Sequence, residues 1–173
     1  MTSEYLGLRM LMDTDFVKVK REFSFLHQKF AVSTPQCGVF LTCTGVMKKK
    51  FKDANEQEVM VLRQPTFSAV WKMEVHVAHC PPLHIKPRGG LSRSIWINDH
   101  NKQHVLKLKP SSSFFKSGEY SILGANEQPV GTIERNWKLS YKMSFPRDLD
   151  VRYKCALIAA CIFIDEQSVS NND

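Results

Sequence analysis

The sequence lacks an apolar run long enough to cross a lipid bilayer. Its longest apolar stretch, Cys155–Ile164, would span about 15 Å as a helix, whereas the hydrocarbon layer is roughly 30 Å thick. Arg152 and Lys154 precede this stretch, and Asp165 and Glu166 follow it. A longer span would carry these charges into lipid at ~2.5–3.5 kcal/mol each. The sequence therefore predicts a short helix that is buried inside protein.

Cysteine, glycine and proline are also scarce. The five cysteines are an odd number and do not suggest a disulfide framework, and eight glycines and eight prolines exclude collagen-like and low-complexity classes. The apolar segment Leu8–Met12 is too short for the core of a secretory signal. We therefore expect an intracellular protein in reducing surroundings.

Motifs for catalysis and metal binding are missing as well. The sequence shows no glycine-rich phosphate loop, no catalytic-triad spacing and no paired carboxylates, so we expect no enzyme and no bound cofactor. His76, His79, Cys80 and His84 lie close together, but their spacing fits no standard structural zinc pattern. These four residues are interpreted as loop residues.

The composition is otherwise that of a globular domain with an excess of positive charge. Hydrophobic residues make up 43% of the 173 residues, and Lys plus Arg number 24 against 17 Asp plus Glu, which gives a net charge of +7. This balance favours an anionic partner, which could be a membrane surface, a nucleic acid or an acidic protein.

Short alternating stretches separated by polar turns predict many antiparallel strands from residue 16 to residue 143, beginning with two short strands at 16–19 and 22–26. A strand–turn–strand unit recurs with turns at Ala54–Gln57, Asn101–Gln103 and Ala125–Gln128. Closure of the sheet removes its edges, and a helix that is apolar all round needs to be encircled. The sequence thus favours a mainly β fold, a closed antiparallel barrel around one C-terminal hydrophobic helix. A two-layer sheet with the helix on one face is the alternative.

The C-terminal segment has a recognisable pattern. Ser144–Lys154 followed by Leu157–Asp165 resembles the end of the phospholipid scramblase family, where Phe-Pro-x-Asp-Leu-Asp-Val runs into a hydrophobic helix that finishes in Ile-Asp. Segments similar to the family's Arg-x-Pro strand, its Val-Leu-Lys-Ile strand and its Val-Gly-Lys-Ile segment with a Trp beyond occur in the same order, at Val59–Pro65, Val105–Leu108, and Val130–Ile133 with Trp137. The likeness covers about residues 45–166.

The resemblance implies a tubby-C-terminal-like barrel of about twelve strands around a central helix. It divides the chain into an N-terminal arm (1–14), a barrel (15–166) with the helix at about 149–164, and a polar tail (167–173). It also implies a membrane-associated protein, at the plasma membrane or another membrane, that binds phospholipids or moves them between leaflets under calcium control without covalent chemistry.

The chain departs from that family at its calcium site. The linker from Trp137 to Phe145 contains two lysines and no carboxylate, which leaves only Asp148 and Asp150 beside two arginines as residual calcium candidates. Calcium needs roughly 6–8 oxygen ligands, so we expect calcium control to be lost. The family's cysteine-rich acylation cluster is also missing after Pro65.

Two basic patches are candidate sites for anionic lipid. Strand alternation places Lys48, Lys50 and Lys52 on one face, and a second patch comprises Lys86, Arg88 and Arg93. A solvated strand edge that discourages aggregation is the alternative interpretation of the first patch. The tryptophans are candidate membrane-interface anchors, nucleic-acid platforms or core residues, and alternation turns Trp96 to the outer face; they are Trp71, Trp96 and Trp137.

In some scramblases the segment that matches residues 131–140 also acts as a nuclear import signal. Gly131, Arg135, Trp137 and Lys138 are the corresponding positions here, although an acid, Glu134, has entered the segment. A nuclear location is therefore a second possibility.

Two hypotheses result. In the first, the protein is a monomeric scramblase-like barrel that binds anionic phospholipid membranes peripherally, at the cytoplasmic face. In the second, it is a soluble or nuclear adaptor that binds protein or, with less support, nucleic acid. Steeply salt-dependent binding to nucleic acid would favour the second hypothesis.

Overall fold

The structure is a computed structural model that describes residues 4–22, 28–65, 71–88, 93–111, 118–136 and 140–170. Along the chain, helix α1 at Leu6–Met12 precedes the described strands and helix α2 at Val151–Ser170 follows them. The strands are β1 Phe16–Glu22, β2 Lys29–Thr34, β3 Gly38–Thr44, β4 Lys48–Asp53, β5 Glu58–Arg63, β6 Met73–Val77, β7 Leu83–Pro87, β8 Ile95–Asn98, β9 His104–Pro110, β10 Glu119–Gly124, β11 Pro129–Asn136 and β12 Ser140–Ser144.

These strands form a closed barrel in which each strand pairs with its neighbours along the chain. All pairings are antiparallel, and β1 pairs with β12 to close the sheet, with Phe16 opposite Ser144 and Lys20 opposite Ser140. Closure leaves no free edge among the described strands, because every strand has a partner on both sides. The expected closed barrel is confirmed, and the two-layer alternative is wrong.

The barrel interior is filled by α2. Every residue from Lys154 to Asp165 is buried, and the apolar run Cys155–Phe163 is fully enclosed. Inward-facing strand residues such as Val17, Phe51 and Ile85 complete one continuous core around it. The helix can be apolar on all sides because strands surround it on all sides.

The start of α2 agrees with the expected start at about residue 149, but its end differs from the expectation. Asp150 is the N-cap, since its Oδ1 accepts a hydrogen bond from the Arg152 N–H at 2.9 Å. The preceding strand ends at Ser144, two residues before Pro146. The helix continues to Ser170, so the expected end at about residue 164 is wrong and part of the polar tail is helical. Its buried part ends at Asp165, and the next two residues, Glu166 and Gln167, are partly exposed.

The two short strands expected at 16–19 and 22–26 are one strand, β1, as far as Glu22. Residues 23–27 lie outside the described part of the chain. Val17 and Val19 both face the core, so the inward alternation continues without a break.

The N-terminal arm contributes to the fold through α1. Leu8 and Leu11 are fully buried against the core, and α1 contacts α2, β3 and β4. The N–H of Gly7 donates to Oδ2 of Asp53 at 3.1 Å, and a Cβ at Gly7 would lie 2.5 Å from Cδ2 of Leu41. A side chain at position 7 would therefore push α1 away from the barrel.

The recurring turns predicted from the sequence close three hairpins at the end of the barrel that α1 covers, here called the α1 end. Each turn begins with a residue whose N–H donates to the carbonyl four positions later at 2.9–3.1 Å, namely Asp53, Asp99 and Gly124. The residue before the closing glutamine has a positive φ in all three, at Glu56, Lys102 and Glu127. The same sequence pattern thus produces the same turn.

The β2–β3 and β6–β7 hairpins also turn at the α1 end, and the other hairpins turn at the other end of the barrel, here called the opposite end. There β3 passes to β4, and the described loop ends include Gln64, Trp71 and Arg93. Adjacent strands alternate in direction, so the chain alternates between the two ends. No helix within the described ranges has the length and apolarity that a bilayer span requires.

Candidate functional site

The lysines of β4 alternate between outside and inside, as expected. Lys48 is exposed, and Lys50 and Lys52 point outward and are partly exposed. Lys50 pairs with Glu58 at 2.7 Å, and Lys52 pairs with Glu56 at 3.0 Å. Two of the three predicted lipid-binding lysines are therefore neutralised, and Lys48 has no ion pair with a described residue.

Lys49, which the sequence analysis did not single out, points inward and is buried. Its Nζ forms an ion pair with Glu166 of α2 and donates to the carbonyl of Val46 at 2.5 Å. Gln64 donates to the same carboxylate at 2.5 Å. A run of three lysines thus combines surface charge with an anchor for the central helix, and alternation along β4 was the signal for it.

A further basic surface lies across the seam where the barrel closes. Lys18 of β1 is directly opposite Lys142 of β12, and Lys20 follows on the same outer face. None of these three lysines forms an ion pair with a residue that the structure describes. Glu134 lies opposite Lys142 on β11 without pairing to it. We call Lys18, Lys20 and Lys142 the seam lysines.

Like charges directly opposite each other in a sheet are destabilising. The seam lysines were not predicted from the sequence because Lys18 and Lys142 are far apart in the chain. Barrel closure alone brings them together.

The second predicted basic patch lies three strands away from β4. Lys86 and Arg88 are exposed at the opposite end, and Arg93 is exposed just before β8. Three strand spacings amount to roughly 14 Å, so the patches occupy neighbouring parts of the barrel wall.

Trp96 faces outward, as alternation predicts, but it is not freely exposed. The Arg88 guanidinium lies 4.8 Å from the Trp96 ring centre, and the His104 ring packs on it at 4.5 Å. Trp71 is the exposed tryptophan among the described residues. Of the two candidate contact tryptophans that the structure describes, Trp71 is therefore the more accessible one; Trp137 lies outside the described residues.

Several buried polar atoms around Trp96 have no hydrogen-bond partner among the residues that the structure describes. They are Nε1 of Trp96, Oδ1 of Asn98, and both ring nitrogens of His104. Burial lowers the pKa of His104, with the nearby Glu127 acting in the opposite direction. His104 is consequently favoured in its neutral form.

The residual calcium candidates lie beside a cleft of about 520 Å³ at the α1 end. Asp150 is already engaged, because the Arg152 guanidinium contacts its carboxylate at 2.7–3.2 Å and lowers its pKa. Asp148 is exposed on the cleft rim. Within the described ranges no three acidic, histidine or cysteine side chains converge as a metal site would require.

The zinc-like residues diverge as well. His76 contacts Glu74 at 3.1 Å on β6, whereas His79 contacts the hydroxyl of Tyr5 at 3.0 Å in the following turn. Cys80 lines the cleft, and burial raises its pKa. A raised pKa keeps this thiol protonated, which does not favour a nucleophile.

The import-like segment has structural roles at its described positions. A Cβ on Gly131 would lie 2.0 Å from the carbonyl oxygen of Ser144, so the close approach of β11 to β12 requires glycine. Arg135 lies over the ring of Tyr141, with its guanidinium 5.8 Å from the ring centre. Trp137 and Lys138 lie outside the described residues.

The core contains charges at both ends of α2. Lys154 is fully buried, and its Nζ donates to four backbone carbonyls at 2.6–3.1 Å, those of Leu11, Met12, Thr14 and Arg147. At the other end Arg21 donates to Asp165 at 3.1 Å. These bonds fix the position of the helix along the barrel axis.

The cysteines are free, and three of them are buried. Burial raises the pKa of Cys43 to about 12 and also raises the pKa of Cys155 and Cys161. These raised pKa values keep the three buried thiols protonated at neutral pH.

No protein-family model and no curated protein matches the chain. Among solved structures, the X-ray structure of a protein from Arabidopsis thaliana is similar to it, with a TM-score of 0.59 at 8% identity. The similarity covers 87% of this chain and 91% of that chain. Identity this low shows a shared barrel fold and carries no function.

Proposed function

We propose that the protein is a scramblase-like barrel that binds anionic phospholipid membranes peripherally, at the cytoplasmic face, without covalent chemistry and without calcium control. The seam lysines are the observation that carries this proposal. Lys18 and Lys142 are held opposite each other without an acidic partner among the described residues, and a polyanionic surface would relieve their repulsion.

The occupied interior supports surface binding over a lipid-filled cavity. Residues 155–163 of α2 are fully enclosed by the strands, so lipid tails have no room along the barrel axis unless the helix leaves. The resemblance of the C-terminal segment to scramblases supports the same lipid class. The proposed binding surface accounts for membrane association alone. Movement of lipid between leaflets is a further proposal, which rests on the resemblance to scramblases.

Flotation with vesicles tests the proposal. We expect the protein to float with phosphatidylserine vesicles at low salt, to bind phosphatidylcholine vesicles weakly, and to lose binding as salt rises. Changing the three seam lysines to glutamine should weaken binding about 100-fold, since each charge contributes about 1 kcal/mol near an anionic membrane.

The matched control removes an ion pair without changing the net charge. The double variant Lys50→Gln, Glu58→Gln should bind as the wild-type protein does, because this pair is already neutral. Equal binding of both vesicle types by the wild-type protein would contradict the proposal. Tight, steeply salt-dependent binding to nucleic acid would instead favour the adaptor hypothesis.

A further inference from the structure

The two ends of the barrel differ in the exposed side chains that they carry. At the opposite end, Val46 and Met47 occupy the β3–β4 turn with 58% and 56% of their surface exposed, and Trp71 is 47% exposed just before β6. Val46 and Met47 precede the buried Lys49, whose bond to the Val46 carbonyl fixes the base of the turn. A held turn thus presents two adjacent apolar side chains to the surroundings.

Exposed cations surround these apolar residues. Those that the structure describes at the opposite end include Lys20, Lys29, Lys48, Arg63, Lys72, Arg88 and Arg93. The exposed or partly exposed acids described there are fewer: Glu22, Glu74, Glu119, Glu134 and Glu166, the last of which is paired with the buried Lys49. Aromatic and aliphatic side chains ringed by lysine and arginine match the interface of an anionic bilayer.

The α1 end differs in character. Its three recurring turns consist mostly of polar residues, and the carboxylates exposed there include Asp13, Asp15, Glu56, Glu127, Asp148 and Asp150. Four of these carboxylates form ion pairs, and the exposed cations there include Arg9, Lys102 and Arg147. The exposed large apolar side chains described at this end are Met12 at 41% and Val39 at 56%, which belong to separate elements. The charge of the α1 end is therefore mixed, and an anionic surface attracts the opposite end more strongly.

We propose that the protein docks on anionic membranes with the opposite end of the barrel, and that Val46, Met47 and Trp71 enter the interfacial layer. This inference rests on the proposed function and adds the orientation of the barrel and the residues that penetrate. Charge complementarity selects the end, and the apolar turn supplies the contact that remains when salt screens the charges.

Two double variants with the same change of charge test the orientation. Val46→Glu with Met47→Glu should weaken flotation with phosphatidylserine vesicles at least about tenfold. Val39→Glu with Met12→Glu places the same charges on similarly exposed positions at the α1 end, and should bind nearly as the wild-type protein does. Far-ultraviolet circular dichroism and thermal melting verify that both variants fold.

Depth is measured by quenching tryptophan fluorescence with phosphatidylserine that carries bromine in its acyl chains. The emission of Trp71, measured as the fluorescence lost in Trp71→Phe, should be quenched by these lipids. The emission of Trp96, measured in the same way from Trp96→Phe, should not be quenched, because Arg88 and His104 cover that ring.

The outcomes separate the two proposals. If the wild-type protein does not float at all, the proposed function and the orientation both fail. If it floats and the two double variants weaken binding equally, or Trp71 is not quenched, the orientation is wrong while membrane binding stands.

Discussion

His104 is held in an environment that suits a neutral imidazole. Its ring packs against Trp96, and both ring nitrogens are buried without a hydrogen-bond partner in the described part of the chain. Desolvation lowers its pKa below the ordinary 6.5, and this outweighs the opposing effect of Glu127. In the unfolded chain the same imidazole protonates at its ordinary pKa, so between the two pKa values the unfolded state binds more protons.

His104 should therefore make the protein less stable as pH falls below about 6.5. Its contribution is fully present above the unfolded pKa and is lost as pH falls through the lower, folded pKa. Urea unfolding at pH 7.5 and pH 5 measures the effect, and His104→Leu should lose less stability over this interval than the wild-type protein.

His100→Leu is the control, because His100 is exposed in the neighbouring turn. It should retain the wild-type pH dependence. An identical pH dependence in wild type and His104→Leu would show that the unpartnered ring nitrogens of His104 bind water or another group in the native protein.

At the scale of elements, two matched turns separate local from long-range stabilisation. Asp53 and Asp99 begin equivalent turns, and Oδ1 of each accepts two backbone N–H groups at 2.8–3.1 Å. Only Asp53 also accepts a bond from Gly7, through Oδ2 at 3.1 Å, and only Asp53 is buried. The two residues thus differ in whether the turn also holds α1.

Asp99→Ala should lower the free energy of unfolding by about 1 kcal/mol, the usual contribution of such turn bonds. Asp53→Ala should lower it by about 2–4 kcal/mol, because the buried N–H of Gly7 also loses its partner. Hydrogen exchange should show faster exchange in α1 for Asp53→Ala only. Equal losses in the two variants would mean that α1 does not depend on this bond.

The equivalent turns show which parts of the fold depend on residues that are close together in the sequence. The repeated Asn, the residue with positive φ and the closing Gln lie within five positions, so the sequence predicted all three hairpins. The outward lysines of β4 were predictable for the same reason, since alternation is local. The helix begins at Val151, just after its cap Asp150, which is close to the expected start at about residue 149.

Other residues obtain their roles from partners distant in the chain, and these were not predictable. Lys154 reads as a charge flanking an apolar run, but its four acceptors belong to α1, to the loop after it and to the turn before α2. Lys49 reads as part of a surface run, although Glu166 makes it an anchor. The expected end of α2 was too early because Asp165 and Glu166 are paired with Arg21 and Gln64, which are distant in the chain.

At the scale of the whole molecule, the barrel closes at a seam that carries three outward-facing lysines. Each other pairing joins strands that follow one another in the chain, whereas β1 and β12 meet from the two extremes of the sheet. Lys18 opposite Lys142 weakens this long-range pairing, and the proposed membrane surface would compensate for it.

Lys18→Glu should accordingly stabilise the free protein and weaken its membrane binding. The new carboxylate would face the Lys142 ammonium across the seam and raise the free energy of unfolding by about 0.2–1 kcal/mol. The change of two charge units should reduce affinity for phosphatidylserine vesicles about 30-fold. Urea unfolding and vesicle flotation measure the two effects on one preparation.

Lys102→Glu serves as the control for net charge, because Lys102 is exposed at the α1 end and the same turn position is Glu56 or Glu127 in the two equivalent turns. It should change stability by less than about 0.5 kcal/mol. If Lys18→Glu stabilises the protein but binds vesicles as the wild type does, the seam repulsion is real and serves a different partner. If it destabilises the barrel, Lys18 and Lys142 do not repel each other measurably, and their pairing gives no support to membrane binding.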